Sequence, residues 1–112
     1  KPNQWALSGK WRVSAEAAAV QAPGAAISYR FQGRDLHLVL GTLHGKPVRF
    51  RVTLDGNEPG ANHGTDIDAQ GNGVIREQRL YQLIRQSGKI GVHTFRIEFL
   101  DPGAEAFAFT FG

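Results

Sequence analysis

Apolar residues in this chain recur at every second position, and that period constrains the fold more than any other feature. In Val48-Arg49-Phe50-Arg51-Val52-Thr53-Leu54 the apolar side chains point one way, and Arg49, Arg51 and Thr53 the other. Val92 to Leu100 repeats the pattern, with Phe95, Ile97 and Phe99 inward and Arg96 and Glu98 outward. Ala26 to Phe31 and Asp35 to Leu40 also alternate, and the short Gln32-Gly33 link between them predicts a hairpin. Trp11 to Val13 reads as a short opening strand. Glu16 to Val20 is rich in alanine, the best helix former, but it is too short to persist alone and is closed by Pro23-Gly24, so it too reads as strand. Gly73 to Arg76, Arg79 to Arg85 and Ala106 to Phe111 follow, with a Pro-Gly turn at Asp101-Pro102-Gly103. The last strand sets Phe107, Phe109 and Phe111 on one bulky inner face and small residues on the other. About eight short strands with turns every ten or so residues predict an all-β chain, an antiparallel β-sandwich of jelly-roll-like form.

A chain of 112 residues is expected to form a single domain, large enough for a hydrophobic core without covalent help. It has no cysteine, so it cannot carry thiol chemistry itself. The net charge is +3, with thirteen Lys and Arg dispersed along the sequence, which argues against a nucleic-acid-binding face. No apolar run approaches a membrane span, and the first residues do not have the form of a signal peptide.

Between two strands lies a long polar segment, Asp55 to Gly73, and a loop of that length in a small domain is commonly functional. It gathers most of the residues able to hold a ligand. Sugar sites stack an aromatic ring on a pyranose and surround the hydroxyls with polar groups. His63, Asp66, Asp68, Asn72, Arg79, Tyr81 and Arg85 supply that mixture and form the candidate ligand site. Tyr81 reads equally as core on an alternating strand. If residues 65–69 are extended, Asp66 and Asp68 lie on the same side and, with Asn62, Asn72 and Glu77, offer oxygen ligands to Ca2+. The plainer reading has these residues accepting backbone hydrogen bonds in tight turns. The segment has neither the third acidic position nor the closing glutamate of a calcium loop. A glycosidase acid pair has no other feature in its favour, and no elbow motif surrounds Ser8, Ser14, Ser28 or Ser87. His37, His44, His63 and His93 are dispersed without metal-ligand spacing. The chain is therefore expected to be non-catalytic and to hold no cofactor of its own.

Several long stretches carry a resemblance: Asn3 to Trp11, Val48 to Gly56, His63-Gly64-Thr65-Asp66, Arg79 to Gln86, and Glu98 to Gly112. Together they resemble the C-terminal domain of DipZ-type thioredoxin-like proteins. The resemblance implies a β-sandwich like carbohydrate-binding modules and galactose-binding-like domains. It also implies that residues 1–112 are the C-terminal part of a longer bacterial polypeptide, outside the cytoplasm in the periplasm or cell envelope, beside a thioredoxin-like domain that does the thiol-disulfide exchange. Two functions follow. One is an accessory module that binds carbohydrate through the loop and Tyr81. The other is an interaction domain that packs on its thioredoxin-like neighbour or mediates dimerisation. An uncovered aromatic with convergent polar groups would favour the first, and an apolar patch around Trp5 and Leu7 the second.

Overall fold

The computed structural model describes residues 4–111. The chain runs through β1 (Gln4–Ser8), β2 (Trp11–Val13), β3 (Ala18–Val20), β4 (Ala25–Gln32), β5 (Asp35–Thr42) and β6 (Val48–Leu54), then β7 (Asn72–Ile75), β8 (Arg79–Arg85), β9 (Val92–Phe99) and β10 (Ala104–Phe111). One 3-10 turn, Gly60–Asn62, interrupts the segment between β6 and β7. Two five-stranded antiparallel sheets result, in the orders β1-β4-β9-β6-β7 and β2-β3-β10-β5-β8. From β4 onward the chain changes sheet at most of its connections, so the jelly-roll-like sandwich expected from the alternation is what forms.

The core lies between the sheets. Val48, Phe50, Val52 and Leu54 of β6 and Phe95, Ile97 and Phe99 of β9 are all buried, facing Leu36, Leu38 and Leu40 of β5 across the layer. Trp11 is partly buried and packs against this interior, with its ring edge-on to Phe99 at 5.7 Å and Nε1 donating to the Ser8 carbonyl. On the outer face of the first sheet Arg51 sits opposite Glu98, and Arg49 pairs with Asp101 at 2.8 Å. The Arg96 Nη1 atom is buried there with no hydrogen-bond partner among the described residues.

Three strand expectations are corrected. β4 and β5 are not a hairpin: Gly33-Arg34 carries the chain from one sheet to the other. β4 instead pairs with β9 along its whole length, from Ala25↔Phe99 to Gln32↔Val92, and β5 pairs with β10 and β8. The two apolar faces thereby oppose each other through the core instead of lying side by side. At Ala15 and Glu16 the chain bends, because the Ser14 hydroxyl and amide bind Ala17 around them, so β3 begins only at Ala18. In β10 a bulge falls at Phe107: Ala106 pairs with Leu40 and Ala108 with Val39, leaving Phe107 as the extra residue. Ala104 and Ala106 face the core before it and Phe109 after it, so the row of three inward phenylalanines is broken. The side chains of Trp5 and Phe111, and residues 1–3 and 112, lie outside the described residues.

Candidate functional site

The segment that follows β6 opens with an element its length concealed. Leu54 and Asn57 exchange both backbone hydrogen bonds, at 2.8 and 2.9 Å, around Asp55 and Gly56, whose φ angles are 52° and 81°. Two consecutive positive φ values are the geometry of a type I′ turn, which Asp-Gly favours because glycine meets no steric penalty there. The Asp55 carboxylate reaches back to β9. It accepts the Thr94 amide at 2.8 Å and lies 2.6 Å from His93 Nδ1. The Thr94 bond and then His93 outweigh desolvation and hold its pKa below the ordinary carboxylate value.

Residues 63–66 then lie along the open edge of β8. Gly64 donates to the Leu83 carbonyl at 2.8 Å and Asp66 to the Gln82 carbonyl at 3.1 Å, while His63 bridges to Ile84. A Cβ on Gly64 would fall 2.2 Å from the Gln82 oxygen, so only glycine permits this approach. The segment thus covers an edge that would otherwise present unpaired backbone groups.

Several of the sequence-derived candidates meet here. Asp66 accepts Arg79 Nη2 at 2.8 Å through one oxygen and the Gln82 amide at 2.7 Å through the other. Burial pushes its carboxyl up, but these two bonds prevail and its pKa is lowered. The Arg79 guanidinium lies over the Tyr81 ring, and the Glu77 carboxylate is a looser neighbour at 3.8 Å. His63 Nδ1 is 2.8 and 2.9 Å from the carbonyls of Gly64 and Ile67, so it carries the proton and ties the loop to itself. Asp68 turns away from Asp66 and accepts the amides of Gln70 and Asn72. Residues 65–69 are folded into turns instead of extended, and the two carboxylates do not form a pair. Asn72 is the first residue of β7, paired with Arg51. Arg85 lies at the far end of β8, about 20 Å from Arg79 at the usual rise per residue.

Tyr81 requires the main correction. Its side chain is 1% exposed, edge-on to Phe50 in the core, and its hydroxyl donates to the Glu77 carbonyl while accepting the amides of Arg76 and Glu77. One face carries Arg79. No ring surface is left on which a pyranose could stack. The loop's polar groups are spent on fixing the loop itself, and among the described residues no three His, Asp or Glu side chains gather as a metal site.

Two concave regions lie elsewhere. A cleft of about 350 Å³ opens between the sheets, where Leu7 and Ile27 of the first face Leu38, Ala106 and Phe109 of the second, with Val13, Ala15 and Phe107 at its mouth. A second cavity of about 310 Å³ lies among the β3–β4, β5–β6 and β9–β10 connections and is lined by Gln21, Thr42, His44 and Lys46. Of these four the sequence singles out only His44, as one of four dispersed histidines; Thr42, His44 and Lys46 share one short stretch but no motif, and Gln21 comes from a connection far away in the chain.

The model of a protein family described as thioredoxin like C-terminal domain matches residues 1–112. The chain belongs to that family. No curated protein matches this thioredoxin-like C-terminal domain. Among solved structures it is similar to a family two carbohydrate esterase from Clostridium thermocellum in complex with cellohexaose, with a TM-score of 0.73 and 14% identity. A family two carbohydrate esterase from Cellvibrio japonicus gives a TM-score of 0.69 and 15% identity. Each alignment covers 97% of this domain but only 31% and 30% of the esterase chains. At such identities the likeness is one of fold.

Proposed function

We propose that this domain is the non-catalytic accessory part of a thioredoxin-like protein and that it docks on a thioredoxin-like domain of the same polypeptide, outside the cytoplasm. The observation that carries this reading is the cleft beside Leu7. Its walls are mostly apolar, with Ser14 and Glu16 among them, and Val13 is 67% exposed, more than the other exposed large aliphatic residues described, Leu43, Leu80 and Ile90. Next to it β3 pairs with β10 only at Glu105 and Ala106, so beyond Ala106 that edge of β10 has no strand beside it among the described residues. Open backbone groups along an apolar slot suit a protein partner that offers an extended segment and apolar side chains. With no cysteine, this chain cannot carry thiol-disulfide exchange itself, and on this reading the partner domain carries it.

Hydrogen exchange tests the reading. Amides of residues 13–18 and 107–109 should exchange more slowly when the chain is joined to the thioredoxin-like domain than when it is alone. Equal exchange in both settings would remove the support for docking at this cleft.

A further inference from the structure

The cavity among the β3–β4, β5–β6 and β9–β10 connections differs from the 55–73 loop in one respect that bears on ligands. In the loop nearly every polar side chain is bonded to a neighbour. In this cavity Gln21, Thr42, His44 and Lys46 line one space; Gln21, His44 and Lys46 are exposed to solvent, and among the described residues none of the four side chains is hydrogen-bonded or ion-paired. Its frame is nevertheless fixed. Leu43 donates to the Gly103 carbonyl at 2.8 Å, and Gly103 to the Val20 carbonyl at 3.0 Å, so the backbones of all three connections are strapped together. Unspent polar groups on a rigid frame are what a small-ligand site requires, and about 310 Å³ is at the lower end of such sites.

The lining also indicates the ligand's chemistry. Lys46 and His44 are the ionisable side chains around the space, and no carboxylate lines it. The adjacent Asp101 is bonded to Arg49 through two side-chain bonds and a backbone amide, so its charge is paired with the guanidinium. Leu43, itself 45% exposed, and Pro102 supply apolar surface beside the polar groups. A ligand that fits has a carboxylate for Lys46, hydroxyls for Gln21, Thr42 and His44, and a compact apolar face for Leu43 and Pro102. We propose that this cavity binds a single acidic sugar unit, of the uronic acid class, at the end or in a side branch of a glycan. The site is separate from the cleft beside Leu7 and stands independently of docking there.

The test is a titration of the chain, followed by NMR, with methyl glucuronide and, in parallel, methyl glucoside. The proposal predicts shifts confined to residues 20–21, 42–46 and 102–103, with the glucuronide bound at least about tenfold more tightly, because a charge-assisted bond to Lys46 is lost with the neutral sugar. Lys46→Gln, an exposed substitution that leaves the frame intact, should reduce glucuronide binding to the glucoside level, while Lys89→Gln, at an exposed lysine outside the cavity, should leave it unchanged. No shifts at these residues, equal affinity for the two sugars, or unaltered glucuronide binding by the Lys46 variant would each overturn the proposal.

Discussion

The Arg79 guanidinium lies 3.9 Å from the centroid of the Tyr81 ring and covers one of its faces. The same guanidinium is bonded to Asp66, and Asp66 to the Gln82 amide, so these residues fasten the 63–66 segment onto β8. Of the residues that look like a sugar site in sequence, Asp66, Arg79 and Tyr81 form a structural clasp. Tyr81→Phe leaves the Arg76 and Glu77 amides without their acceptor and should cost about 1–3 kcal/mol of stability, measured by urea unfolding. Arg79→Met should cost about 1 kcal/mol, since it removes an exposed cation–π contact and a surface ion pair together.

Gly64→Ala places a methyl group against the Gln82 carbonyl and should lift the clasp from the β8 edge. We expect a loss of roughly 2 kcal/mol or more, as for other substitutions that force the backbone apart. The variant should also self-associate through the uncovered edge. Light scattering at increasing concentration checks the second effect separately from unfolding.

The strand faces of β6 and β9 could be read from the sequence because each buries one side against the same core, so burial and alternation coincide. The final strand could not, because its bulge at Phe107 changes which residues face inward and nothing in Ala106-Phe107-Ala108-Phe109 marks the extra residue. The β4–β5 link looked like a hairpin turn because local sequence cannot tell a turn within a sheet from a crossing between sheets. Asp55-Gly56 was readable as a hairpin turn on its own, but it was hidden within a polar run. Gln86 gave no signal either: it is buried, and its amide bonds to Gly33, 53 residues away, and to Gly91 across the β8–β9 turn. For the candidate site, residue types were legible while their partners were not, and the partners determine whether a polar group is free to bind a ligand.

Acid should destabilise the domain in a defined window. Arg49 lowers the Asp101 carboxyl from 3.8 to about 2 through its side-chain bonds and then its backbone amide, and Asp55 and Asp66 are lowered as well. A carboxyl with a depressed folded-state pKa contributes fully above its ordinary value, and that contribution is lost as pH falls through the folded-state value. The urea midpoint should therefore hold near neutral pH and drop as pH falls from about 4 to about 2. Asp101→Asn should flatten part of that drop, and an unchanged slope would show that the Arg49 pair contributes little.

The docking claim is tested most directly by combining exchange with one substitution at the cleft mouth. Val13 is exposed, so Val13→Asp should leave the isolated chain's stability within about 0.5 kcal/mol. In the chain joined to its thioredoxin-like domain, the account predicts that residues 107–109 are protected in the natural sequence and lose that protection in the Val13→Asp variant. Protection that is absent from the natural sequence, or that survives the substitution intact, would contradict it.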